Sequence, residues 1–189
     1  MKNRNSKFAM LFVLAVSLMS FTTLNEKNID INNSKVNWKG YKVTGQHEGT
    51  INLKSGTLVF DGETLTGGTF VMDMTSINTT DLEGDTKGKL DGHLKSADFF
   101  GSENFPTATL NIINVSGGDG SYKVKANLTI KETTKVVEFS MSVKGNTATA
   151  NLEIDRTEYD IKYGSSSFFD DLKDKAIYDN FDLNVSLTF

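Results

Sequence analysis

The chain has 189 residues, a net charge of −4, 38% hydrophobic residues and no cysteine. That length supports one domain with a sizeable core, and the lack of cysteine excludes disulfides, thiolate metal sites and cysteine nucleophiles. An acidic chain repels nucleic acid and anionic bilayer surfaces, so neither is an expected partner.

Lys2, Arg4 and Lys7 precede the apolar run AMLFVLAVSLMSF. A basic start followed by about a dozen apolar residues is too short to span a bilayer and has the form of a secretory signal peptide. Residues 1–23 are therefore expected to be a signal peptide cleaved between Ser20 and Thr23, although no A-x-A site stands there. Residues 24–33 are then a linker. The alternative is an uncleaved signal anchor. No cysteine follows the run, so no lipoprotein acylation site is expected. The destination is periplasmic or secreted.

From Ser34 onward the pattern has period two. Val36 to Val43 and His47 to Leu53 read as strands joined by a turn at Thr44-Gly45-Gln46. Thr57 to Phe60 follows, then Asp61-Gly62 as a hairpin signal. Phe70, Met72 and Met74 alternate with Val71 and Asp73 before Ile77 slips the phase, which predicts a β-bulge. A second slip separates Ala108, Leu110 and Ile112 from Ile113 and Val115. After the loop Gly117 to Gly120, apolar residues alternate strictly in Tyr122 to Ile130, Val137 to Val143, Ala148 to Ile154 and Phe181 to Phe189. Eight or nine strands of roughly eight to eleven residues, each with one apolar face, indicate an antiparallel barrel or sandwich. The short turns favour the barrel. A second short helix or a turn is expected near residues 166–173, with Phe168, Phe169 and Leu172 on its buried side.

Thr80 to Pro106 breaks the alternation. Leu90, Leu94 and Ala97 fall on one helical stripe, which predicts a helix over about residues 86–97. Thr80-x-x-Glu83 is a possible capping box, with Asp85 and Thr86 as alternative starts, and Asp91 and Lys95 are spaced for an ion pair. Gly84, Gly88 and Gly92 each cost about 1 kcal/mol relative to Ala inside a helix, so this helix must be held by docking. Their spacing would also admit a backbone or ligand at close range. Asp81, Glu83 and Asp85 do not complete a calcium loop, because no bidentate glutamate follows in register. Two histidines, no cysteine and no G-x-S-x-G leave no nucleophile-and-base set, and no dinucleotide or Walker-type fingerprint occurs. No enzyme activity, metal or cofactor is expected.

The run DGHLKSADFFGSENFPTATL (Asp91 to Leu110) resembles the signature of the YceI-like family of bacterial exported polyisoprenoid-binding proteins. His93, Leu94, Lys95, Ser96, Asp98, Phe99, Phe105, Pro106, Ala108 and Thr109 carry the match. Leu128 to Val143 and Ile154 to Gly164 resemble two further segments of that family in the same order. The sequence departs at Glu132 and Asp160, where glycine is common in the family, and at Val136, where proline is. The resemblance spans Ser34 to Phe189. It implies an all-β fold, an eight-stranded antiparallel lipocalin-like β-barrel, over residues 34–189, with an apolar tunnel holding a long isoprenoid chain. The implied function is non-enzymatic binding of a polyisoprenoid or similar amphiphilic lipid for transport, storage or protection in the cell envelope.

Tunnel and mouth candidates are Phe70, Met72, Met74, Leu90, Leu94, Phe99, Phe100, Phe105, Phe139, Met141, Phe168 and Phe169. Each is also a plausible member of an ordinary filled core. His93 is a candidate head-group contact or a helix residue holding a backbone turn. Arg156 is a candidate for a diphosphate head, which its fork would grip bidentately, or half of a structural ion pair. Homodimerisation is left open. Two rival readings are an integral outer-membrane barrel, with apolar faces outward, and a ligand-free exported interaction module, with a fully packed interior.

Overall fold

A computed structural model describes residues 24–189; the expected signal peptide, residues 1–23, lies outside the described residues. The alternating runs form nine strands among the described residues. They are β1 (Leu24–Asn28), β2 (Lys35–Lys42), β3 (Gly45–Asp61), β4 (Thr64–Thr79), β5 (Thr107–Gly118), β6 (Ser121–Ile130), β7 (Thr133–Lys144), β8 (Thr147–Asp155) and β9 (Ile177–Thr188). One α-helix, α1 (Gly84–Lys95), interrupts them between β4 and β5. The order β2–β9–β8–β7–β6–β5–β4–β3 closes on itself through the β2–β3 pairing, and every pair is antiparallel. Closure leaves these eight strands without a free edge.

The ninth strand falls in residues 24–33, which the sequence marks as a linker. Residues 45–51 of β3 pair with β2, and residues 57–61 of the same edge pair with β1. β1 and β2 thus act as one interrupted strand, bridged where Ile29 N–H donates to Gly56 O (2.9 Å) and Asp30 N–H to Thr188 O (2.7 Å). The Lys27 ammonium lies 5.0 Å from the Phe60 ring and 4.9 Å from the Phe189 ring, a favourable contact with both π faces.

Both phase slips are irregularities of the ladder. The β3–β4 register jumps from Thr50↔Asn78 to Asn52↔Asp73, so residues 74–77 bulge opposite a single residue. The β5–β6 register shifts between Ile112 and Asn114. The runs His47 to Leu53 and Thr57 to Phe60 belong to the single strand β3, which bends and does not stop at these bulges. Asp119 and Gly120 join β5 to β6 with φ of 52° and 76°, the mirror-image turn that suits strand twist. The β6–β7 hairpin is equally tight, since Ile130 pairs with Thr133. Its left-handed φ of 55° falls on Lys131 and not on Glu132. Asp160, where the family favours glycine, does adopt left-handed backbone, φ 59°, which a short polar side chain tolerates best after glycine.

Alternation decides which face is wet. Along β6, Tyr122, Val124, Ala126, Leu128 and Ile130 are buried, while Lys123 and Lys125 are exposed; β8 repeats this with Ala148, Ala150, Leu152 and Ile154 inside and Asn151 and Glu153 outside. The barrel is apolar within and polar without. Among the described residues no helix is long and apolar enough to cross a membrane.

Of the short helix or turn expected near residues 166–173, the turn forms, but the helix and the buried aromatic side do not. Residues 166–173 are not helical; they form turns that lead into a 3₁₀ turn at Lys173–Lys175. Left-handed φ at Asp171 (60°) and Lys173 (51°) breaks the helical path. Phe168 and Phe169 are consequently 49% and 51% exposed.

Candidate functional site

Inside the barrel is a cavity of about 330 Å³. It lies at the end where β2 stops, β9 starts and α1 crosses. At the opposite end, Leu58, Phe60, Leu65, Tyr122, Val124 and Ala148 are buried without lining it and form a packed floor. The wall is made of inward residues on neighbouring strands, among them Ile51 and Leu53 of β3, Phe70, Met72 and Met74 of β4, Leu110 of β5, and Phe139 and Met141 of β7. Leu152 of β8 and Phe181, Leu183 and Val185 of β9 complete it. Strand tilt brings these period-two positions to a common interior.

Of the tunnel candidates, Phe70, Met72, Met74, Leu90, Leu94, Phe99, Phe100, Phe139 and Met141 line the cavity. Phe105, Phe168 and Phe169 do not. Phe105 is half-buried against Gly101, on the far side of the turn that sends Phe99 inward, and the other two face solvent for the backbone reason given above. Trp38, Leu110, Leu128 and the β9 trio were not singled out as site residues, although the same alternation already placed Leu128 and the trio on an inward face. What the pattern lacked was the depth along each strand at which packed floor gives way to cavity.

Trp38 is the only tryptophan in the chain. It reaches the cavity because Gly49 faces it. A Cβ at Gly49 would sit 2.1 Å from Asn78 O and 2.6 Å from the Trp38 ring, closer than real contacts allow. The indole N–H donates to Thr50 O at 3.3 Å.

Helix α1 supplies Leu90, His93 and Leu94 to the cavity from one face. No capping box forms: the N-cap is Glu83, without a side-chain cap bond, and the helix opens at Gly84. Asp91 pairs with Lys87 at 2.6 Å and not with Lys95. The reason is docking, since Asp91 also accepts the Thr79 N–H at 2.7 Å and Lys87 reaches Asn78 Oδ1 at 2.6 Å, tying the helix to the end of β4. Burial pushes the Asp91 carboxyl up, but the Lys87 and Thr79 bonds outweigh it and hold its pKa below the usual carboxylate value. Asp81 is likewise held low, its burial outweighed by bonds from His47 (2.9 Å) and the Glu48 N–H (3.2 Å). A Cβ at Gly84, Gly88 or Gly92 would meet nothing within 4 Å, so the close approach these glycines suggested is not made.

The two head-group candidates both line the cavity but differ in what else they do. Arg156 is 2% exposed and donates to three carbonyls: Nε to Tyr178 (3.1 Å), Nη1 to Ile161 (2.7 Å) and Nη2 to Ile177 (3.0 Å). Its ion-pair partner is Asp179, at 3.5 Å, and not Asp155, which instead caps the Thr157 N–H. Burial lowers the Arg156 pKa and the two carboxylates oppose that. His93 stacks edgewise on Tyr163 (4.4 Å between centroids) and Phe99 (5.5 Å). Its Nε2 is buried without a hydrogen-bond partner.

A family model described as the YceI-like domain matches residues 28–189. The chain belongs to the YceI-like family. Its fold is shared by BcnA of Burkholderia cenocepacia, with a TM-score of 0.68 at 21% identity over 85% of this chain and 99% of that one. A polyisoprenoid binding domain from Saccharophagus degradans, implicated in plant cell wall breakdown, superposes with a TM-score of 0.59 at 16% identity, covering 87% and 97% of the two chains. The YCEI protein of Campylobacter jejuni gives 0.53 at 20% identity, covering 72% and 81%. No functionally curated protein matches the chain significantly. At these identities the structural likenesses speak for the fold alone, and it is the family match that extends over the whole described barrel.

Proposed function

We propose that this YceI-like barrel binds the chain of a polyisoprenoid or similar amphiphilic lipid, and carries, stores or shields it in the cell envelope after export. One observation carries the reading: a closed barrel whose interior, at one end, is a cavity of about 330 Å³ walled by aliphatic, aromatic and thioether side chains. That volume lies in the range of small-molecule sites. Apolar burial yields about 25 cal/mol per Å² with no directional requirement, which suits a long hydrocarbon, and methionine adapts to an irregular guest. We read the activity as binding and not catalysis, because burial alone captures such a chain.

The polyisoprenoid binding named for the Saccharophagus degradans domain supports the same ligand class. Phe70, Met72, Met74, Phe139 and Met141 are the proposed chain contacts, with Leu90, Leu94, Phe99 and Phe100 covering the mouth. The rival membrane barrel would need apolar outer faces, and Lys123, Lys125, Asn151 and Glu153 stand there instead. The rival ligand-free module would need a filled interior. Organic extraction of natively purified protein followed by mass spectrometry tests the proposal: an isoprenoid or comparable lipid is expected in stoichiometric amount. A chain that yields none, and that takes up none when offered, would overturn it.

A further inference from the structure

We propose that the rim of the cavity mouth is a docking surface for a zwitterionic lipid bilayer, and that Phe168 and Phe169 are the side chains it immerses. This rests on the lipid-binding reading above and adds where the guest is collected.

Nine large hydrophobic side chains are exposed among the described residues. Five of them, Val43, Tyr163, Phe168, Phe169 and Tyr178, stand on the segments around the mouth. Ile177 and Tyr178 open β9 and line the cavity. The Ile177 N–H donates to Gly164 O at 2.8 Å and the Val43 N–H to Ala176 O at 3.1 Å, so both ends of the loop 164–176 are tied to the rim. Tyr163, just before that loop, stacks on His93, itself a lining residue. An apolar patch at one end of a barrel that is otherwise polar outside marks a contact surface.

The two phenylalanines are displayed by construction. Ser165 is fully buried, and its carbonyl accepts the N–H groups of Phe168 (3.2 Å) and Phe169 (3.0 Å). Ser167 Oγ donates to Asp179 Oδ2 at 2.6 Å. The base of the loop is held, and both rings still stand half in water.

Charge decides the occupant. Residues 162–175 set Lys162, Lys173 and Lys175 against Asp170, Asp171 and Asp174, so this segment is neutral in a chain of net charge −4. An anionic surface gains nothing from it and is repelled by the rest of the chain. A zwitterionic headgroup layer meets no such repulsion. Aromatic rings are favoured where such a layer meets hydrocarbon. The Lys162 ammonium, 5.1 Å from the Phe168 ring, can stay among the headgroups while the ring enters. A long hydrocarbon chain leaves water for bilayers, and a rim seated on one sets the opening of the cavity against that source.

The test uses the chain from Leu24, the start of β1, so that the apolar run before it cannot supply the attachment. Flotation with phosphatidylcholine vesicles, with and without phosphatidylglycerol, measures docking. Trp38, the only tryptophan, lines the cavity and reports uptake of geranylgeraniol as a probe. The wild type is expected to float with phosphatidylcholine, and no better once phosphatidylglycerol is added. The double variant Phe168→Ser, Phe169→Ser changes two exposed positions and should keep the barrel's circular dichroism. It should partition roughly tenfold less and take up geranylgeraniol more slowly from vesicles, with unchanged affinity when the probe is supplied without them. A wild type that stays off phosphatidylcholine, or that floats only with phosphatidylglycerol, overturns the proposal, as does a double variant that floats equally well. A double variant whose affinity falls in the absence of vesicles also overturns it, because the rings then cover the guest. A concentration-dependent dimer that the two substitutions dissolve gives the patch to a second copy and has the same force. If the wild type docks but geranylgeraniol never reaches Trp38, the docking surface stands and the lipid-binding reading falls.

Discussion

Arg156 and His93 show how much a residue's role depends on partners the sequence does not display. Both are polar side chains at the cavity, and both fit a head-group contact on type alone. Only the backbone path from Arg156 to Tyr178 reveals that three carbonyls converge on the guanidinium, making it a brace for the connection between β8 and β9. Its charge partner, Asp179, lies 23 positions beyond it rather than beside it at Asp155, so local spacing could not disclose the pair. Arg156→Met keeps the apolar stem and removes the fork. It should cost about 3–5 kcal/mol, the usual loss when one half of a buried ion pair is taken away and the other is left behind. Urea denaturation of the two proteins measures this, and a difference below about 1 kcal/mol would mean that water replaces the guanidinium and that the brace is not structural.

At the scale of elements, the strands were legible and their continuity was not. Period two located β6, β8 and β9 and both ladder irregularities, because the inward positions of β6, of β8 from Ala148 to Ile154 and of β9 from Phe181 onward are apolar. It missed β1, whose LNEKN sequence has little apolar signal and which is held by the edge of β3 and by Lys27 over two distant rings. It also missed the first part of β4, where Gly67 and Gly68 interrupt the pattern. A Cβ at Gly68 would stand 2.7 Å from Thr57 O, so close strand approach explains that glycine. Helix α1 was found by its Leu90 and Leu94 stripe; none of its residues is fully buried, and Asp91 and Lys87 tie it to β4. Gly88 and Gly92, by contrast, serve no packing need, since added methyl groups would meet open space. Gly88→Ala and Gly92→Ala should therefore each stabilise the helix by about 1 kcal/mol, seen as slower amide exchange across residues 84–95. Unchanged or faster exchange would show that the two glycines are needed for a movement or contact of the helix that the docked state does not display.

The whole molecule joins two interiors that follow different rules. At the floor, Leu58, Leu65 and Val124 are packed to 2% exposure or less, as interiors normally are. At the α1 end the same inward alternation continues, yet the side chains enclose space and do not fill it. A barrel tolerates this because its backbone ladder is complete around the circumference and does not depend on the contents. The resemblance to the YceI-like family implied a tunnel; the residues alone indicated only a barrel, since alternation reports the direction of a side chain and not whether it meets another. An empty apolar volume forfeits contacts that a guest would restore, so occupancy and stability are linked. At a free lipid concentration near 100 times the dissociation constant, bound isoprenoid should add about 2.7 kcal/mol, which for a domain of this size raises the thermal midpoint by about 5–11 °C. Ala150, which is buried and lines the cavity, gives the control. Ala150→Leu grows into the void and should reduce that increase without unfolding the barrel. A midpoint that does not move with saturating lipid, or that moves equally in Ala150→Leu, would place any bound lipid outside the cavity.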